Sequence, residues 1–189
     1  ALSACLSLCL SYALATACTT TGGNCGVNSW TASSHVVHAT ADTFLGPYQR
    51  REVVHPVFAH EPNVVRAPTG EWVMWFTGMP EGKPPPPRCM QCAGGNTPAN
   101  TTCAGGYQTT GPTYLSWSKS PDGPWTTPQR LFAAQAGETN LDTNLAATIL
   151  SNGSVVGIGR TGGDPTGIIA HLVTAADWRD PASYVGRWT

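Results

Sequence analysis

Charge is what this sequence has least of. Lys, Arg, Asp and Glu together make up 11% of the 189 residues, Lys occurs only as Lys83 and Lys119, and the net charge is −1. Such a chain offers no basic footprint for nucleic acid and no like-charge run that reads as a tail. Long apolar runs are missing too. The apolar stretch from Ala1 to Ala17 is interrupted by Ser and Thr and is too short for a membrane-spanning helix. It ends in Ala15-Thr16-Ala17 ahead of Cys18, a small-residue pattern like a signal-peptide cleavage site, but carries no basic n-region. Residues 1–23 therefore read either as a signal-like segment or as a buried edge strand. No cofactor is expected, because Gly22-Gly23 and Gly94-Gly95 lack the strand–Gly-rich–helix context of a phosphate loop.

Turn formers and cysteines are plentiful. The 21 Gly and 16 Pro suit an all-β chain with many tight turns. Seven cysteines fall in two clusters, Cys5, Cys9, Cys18 and Cys25, then Cys89, Cys92 and Cys103. With the sequons at Asn100 and Asn152 they favour an oxidising context and a secreted glycoprotein. Cys89-x-x-Cys92 with Cys103 lacks a fourth ligand for zinc, so the expectation is a disulfide-pinned loop and no metal.

The most informative pattern is a two-part cassette. One half alternates and then turns through Gly-Pro-aromatic: His35–Thr40 with Gly46-Pro47-Tyr48, and Tyr114–Ser120 with Gly123-Pro124-Trp125. A degenerate copy is His171–Asp177 with Asp180-Pro181. The other half is a hairpin, Asn63–Phe76 turning at Pro68-Thr69-Gly70, repeated as Ala146–Ile158 turning at Asn152-Gly153. Repetition of short strands and turns in fixed order marks a β-propeller. Equivalent positions recur after roughly 55–60 residues, the length of a four-stranded blade. On this reading residues 24–189 are a partial propeller of about three blades, the outer ones incomplete. Residues 80–112, rich in Gly, Pro and Cys, form an insertion between two strands of one blade. A closed propeller needs at least about four blades, so the remaining blades of the same protein are expected partners.

The run Trp30–Thr40, Gly46-Pro47-Tyr48, Ala59-His60-Glu61-Pro62-Asn63-Val64-Val65 and Thr69–Phe76 resembles the five-bladed propellers of glycoside hydrolase family 43. These belong to the wider arabinanase, levansucrase and invertase superfamily. The likeness continues through Asp142–Ala146, Gly153-Ser154-Val155 and Arg160, covering roughly residues 24–78 and 113–189. It implies three carboxylates on different blades at the inner ends of innermost strands, serving as base or nucleophile, orienting group and acid. Glycosidic cleavage requires one protonated and one ionised carboxyl around the anomeric carbon. By this resemblance Glu61, just before the strand start at Pro62, is a catalytic carboxylate. The equivalent place in the next hairpin holds Asn144, which cannot transfer a proton and reads as a sugar-binding group; Asp142 is the alternative acid. His60 and Arg160 complete the substrate-binding set.

Each of these residues also has a plainer reading. Glu61 is otherwise a solvated acid capping a strand, and His60 a hydrogen-bonded structural histidine. Arg160 either reaches the cleft or pairs with an inter-blade acid. Trp72, Trp75, Trp117 and Trp125 sit at alternating positions and read as inter-blade core before sugar platforms. Two functions follow: a secreted glycoside hydrolase acting on polysaccharide, or a non-catalytic glycan-binding or extracellular structural propeller with eroded acids.

Overall fold

A computed structural model of the chain describes residues 8–13, 34–43, 45–56, 59–78, 112–132, 145–160 and 170–188. They form eleven strands: β1 (Leu8–Ala13), β2 (Ser34–Thr40), β3 (Gln49–His55), β4 (Ala59–Arg66), β5 (Trp72–Gly78), β6 (Thr113–Ser118), β7 (Gln129–Arg130), β8 (Ala146–Ile149), β9 (Val155–Arg160), β10 (Ala170–Ala175) and β11 (Val185–Trp188). Among the described residues the sole helical element is a 3-10 turn, Pro181–Ser183, capped by the Asp180 side chain. No helix among them is long and apolar enough to cross a membrane.

The strands pair in sequence order into three antiparallel meanders, β1-β2-β3, β4-β5-β6-β7 and β8-β9-β10-β11. The repeated hairpins fold alike. Gly70 N–H donates to Ala67 O at 2.9 Å, and Gly153 N–H donates to Leu150 O at 2.9 Å. Both glycines take positive φ, 102° and 86°, a conformation that side chains disfavour. The Gly-Pro-aromatic turns match as well, with Gly46 bonded to Thr43 O and Gly123 to Ser120 O, each at 3.0 Å. Asp180-Pro181, the degenerate copy, opens the 3-10 turn instead.

Between the second and third sheets lies the larger core, which includes Val73, Trp75, Leu115, Val155, Val173 and Trp178. Trp75 and Trp178 are fully buried, and Trp117 meets the Trp178 ring edge-on at 6.0 Å. A buried indole N–H usually takes a partner; Trp178 Nε1 has none among the described residues, whereas Trp75 Nε1 has one. Trp75 Nε1 donates to Tyr184 Oη at 3.1 Å, and that hydroxyl donates onward to Trp178 O at 2.9 Å. A smaller core of Val36, Ala59, Met74 and Phe76 joins the first sheet to the second, with Trp125 packed against it. Trp75, Trp117 and Trp125 are thus packing residues, while Trp72 is half-buried. β5 is buried on both faces, so it reads as a nearly unbroken apolar run.

The starting strands of the sheets converge. β4 contacts β1, β2 and β8, and the Asn63 side chain accepts a hydrogen bond from Ala147 N–H at 3.1 Å, tying β4 to β8.

Candidate functional site

The site begins with a proline inside a strand. Pro62 has no N–H to give to a ladder, so the sequence suggests a strand that begins there. The structure differs: β4 starts at Ala59, and the pairing jumps from His60↔Thr77 to Asn63↔Trp75. Glu61 and Pro62 together face the single residue Phe76, which makes a β-bulge. The bulge absorbs the missing donor and lets pairing resume on both sides. Glu61 pays for this with φ = 49°, left-handed backbone that costs a non-glycine residue about 1–2 kcal/mol. Strain of this kind persists where the surrounding structure enforces it, and it clusters at functional sites.

Beneath the bulge is an aromatic stack. Phe76 lies between His55, with centroids 4.5 Å apart, and Tyr114, at 5.9 Å. His55 is buried, and burial lowers its pKa from 6.5 to about 4, so the ring is neutral at pH 7. The bulge therefore rests on a packed, uncharged base.

Glu61 itself is partly exposed, at 39% of its side chain. Its Oε1 lies 3.3 Å from His60 Nε2. Its Oε2 is buried and has no hydrogen-bond partner among the described residues. Leaving a buried acceptor unmet costs about 1–3 kcal/mol, and more when it is charged. The exposed part of the carboxylate is open to hydrogen bonds from a hydroxylated ligand, whereas Oε2 is shut off from solvent. Two residues further on, Asn63 spends its side-chain oxygen on Ala147.

Of the residues singled out from sequence, Glu61 and His60 are thus brought together. Arg160 ends β9 opposite Ala170, two positions beyond the Ala146↔Ile158 pair, which places its backbone at the entry end of β8. Asp142 and Asn144 lie outside the described residues, as do Cys25, Cys89, Cys92 and Cys103. Among the described residues no group of His, Cys, Asp and Glu is arranged to hold a metal ion.

Sequence reasoning missed a second polar cluster. His38, 1% exposed, has Nδ1 2.8 Å from Glu52 Oε1 and Nε2 3.6 Å from Asp122 Oδ1. The three line a cleft of about 470 Å³ with Asp42, Gln49 and Arg51. Each member looks ordinary in its own segment. The usable signal was His38 and Glu52 on strands joined by one Gly-Pro turn, which pairs them across a hairpin.

No family model matches this chain, and no curated protein sequence matches it. Solved structures do. A family 117 glycoside hydrolase produced by the marine bacterium Zobellia galactanivorans aligns with 84% of this chain and 42% of its own, at 14% identity and a TM-score of 0.53. An exo-β-1,3-galactanase from Phanerochaete chrysosporium, solved with β-1,3-galactotriose, aligns with 86% of this chain and 45% of its own, at 11% identity and a TM-score of 0.33. This chain spans less than half the length of either structure. At these identities the likeness concerns fold alone: the chain's antiparallel sheets are arranged like part of a family 117 glycoside hydrolase.

Proposed function

We propose that this chain is part of a secreted, five-bladed β-propeller glycoside hydrolase that cleaves polysaccharide by carboxylate acid–base chemistry. One observation carries the reading. Glu61 is held at a strained bulge on the first strand of its sheet, beside His60, with a buried oxygen that no described residue satisfies. A sugar hydroxyl or the water of hydrolysis would meet this carboxylate on its exposed side. Cleavage needs a second carboxyl on the other side of the scissile bond, and Asp142 is the acid this chain offers ahead of β8. His60 and Arg160 would bind sugar hydroxyls, and the Asn63 tie to Ala147 would fix the spacing between adjacent first strands. The seven cysteines and two sequons support secretion.

The test is hydrolysis of a panel of galactans, arabinans and fructans by the complete protein and its Glu61→Gln variant. General acid–base assistance is worth about 10²–10⁴-fold in rate, and a loss of that size is the expected result. Near-normal turnover by Glu61→Gln would remove Glu61 from the mechanism. Asn144, at the place where the next blade would carry its acid, favours a second reading as a glycan-binding propeller without catalysis. Under that reading no polysaccharide is cleaved, yet one binds, and Glu61→Gln weakens the binding.

A further inference from the structure

The second and third sheets close their first hairpins alike, with Gly70 N–H bonded to Ala67 O and Gly153 N–H to Leu150 O. Counted from those glycines, Asn152 stands where the second sheet has Thr69, and Leu150 where it has Ala67. The surroundings of the two turns differ. Thr69 accepts a hydrogen bond from Arg179 at 3.1 Å, and Ala67 is buried. Asn152 is exposed, and its hydrogen bonds among the described residues stay within its own turn. Leu150 is 45% exposed.

Asn152-Gly153-Ser154 is a sequon. Asn152 Oδ1 accepts from Ser154 N–H at 3.1 Å and from the Ser154 hydroxyl at 2.7 Å. Both bonds use the amide oxygen, which leaves Nδ2 facing solvent. The tip is open, since a Cβ at Gly153 would meet no atom within 4 Å beyond its chain neighbours. Trp178 N–H donates to Gly153 O at 3.0 Å and fixes the turn from behind. The tip also lies away from Glu61. The tie between Asn63 and Ala147 sets β4 and β8 side by side; the Glu61 bulge precedes that tie and the Asn152 turn follows it. At about 3.3 Å of rise per residue, the two are roughly 20 Å apart along the strands. A bulky sugar chain at this tip clears the candidate site.

We propose that Asn152 carries an N-linked glycan and that its first sugar, an N-acetylglucosamine, lies over the Leu150 side chain. In the transfer, Nδ2 attacks the anomeric carbon of a polyisoprenoid-diphosphate oligosaccharide. The new N–C bond replaces the C–O bond to the diphosphate, the lipid diphosphate leaves, and Nδ2 gives up one proton. Transfer acts on the nascent chain, so the folded state decides whether the glycan can be carried, and an exposed turn tip can carry it. Leu150 and Asn152 share one turn whose ends are less than about 7 Å apart, which puts the first sugar within reach of Leu150. The C–H face of a pyranose ring suits a half-bare leucine, and covering it removes apolar surface from water. The inference rests on the secretion in the functional reading and on none of its chemistry. Asn100, in the other sequon, lies outside the described residues.

The experiment produces the complete protein in a eukaryotic host behind a host secretory leader, alongside Ser154→Ala, Ser154→Thr and Leu150→Ala. Peptide mass spectrometry of the protein in the medium should find Asn152 glycosylated in the unaltered chain, in Ser154→Thr and in Leu150→Ala, and bare in Ser154→Ala. Melting is then compared between glycans trimmed to the first sugar and glycans removed whole by peptide N-glycosidase. Whole removal leaves an aspartyl side chain that still accepts the Ser154 bonds. The single sugar should raise the melting temperature by about 2 °C, and Leu150→Ala should abolish that rise without lowering occupancy. A bare Asn152 in secreted, folded protein would overturn the proposal. A glycan whose first sugar leaves melting unchanged, or whose effect survives Leu150→Ala, would overturn the contact with Leu150. Hydrolysis is not read, so a protein that cleaves no polysaccharide counts against the functional reading alone.

Discussion

Acid should unfold this protein partly through His55. The ring is 6% exposed and stacked on Phe76, and its Nε2 has no hydrogen-bond partner among the described residues. Burial lowers its pKa from 6.5 to about 4. The folded state therefore holds the neutral ring, while the unfolded chain takes up a proton at higher pH. The stability tied to the neutral ring is complete above about pH 6.5 and drains away as pH falls toward 4. At about 1.4 kcal/mol per pKa unit the whole effect is about 3 kcal/mol, most of it spent by pH 4.5. His55→Phe keeps the stack and removes the titration. Urea denaturation of both proteins between pH 7.5 and 4.5 should show the wild type losing about 2–3 kcal/mol more than the variant. Burial lowers the His171 pKa too, but that residue is common to the two proteins and its contribution cancels in the difference. Parallel pH profiles would refute the reasoning.

Two further outcomes are expected. A Cβ at Gly159 would lie 2.8 Å from His171 Nε2, so Gly159→Ala should cost about 1–3 kcal/mol in denaturation, and His171→Ala in the same chain should recover part of that loss. Arg179 bonds Glu71 at 2.6 Å and Thr69 at 3.1 Å while covering the Trp178 ring at 4.1 Å. The Thr69 hydroxyl and Arg179 hold the Glu71 pKa below its ordinary value. Arg179→Ala should lower the melting temperature by a few degrees, and Arg179→Lys should restore little, because the planar fork and the ring stacking are both lost.

Much of the fold is legible in the sequence because its turns are chemically marked. Gly70 and Gly153 need positive φ, and alternation on either side of them fixes both hairpins. β11 is not legible: Val185–Trp188 is short, ends in Arg and Trp, and owes its pairing to β10 rather than to its own pattern. Glu61 is legible as a special acid but not as a bulge, because the shift of pairing is a property of β4 and β5 together. The His38 cluster escapes for the same reason on a larger scale. Its third member, Asp122, reaches it from another sheet's turn, and only tertiary packing brings them within 3.6 Å.

Synthesis of this protein has a late keystone. The Trp75 indole is built early and lies at the centre of the largest core, yet its hydrogen-bond acceptor, Tyr184, follows 109 residues later. At roughly 5–20 residues per second, Trp75 waits about 5–20 s for that hydroxyl. Through that interval the nascent second sheet must carry an indole N–H without its final partner and an apolar face without its cover. Quality control in the cell would meet this protein first as that half-closed intermediate, so substitutions at Tyr184 should depress yield more than they depress the stability of whatever molecules finish folding.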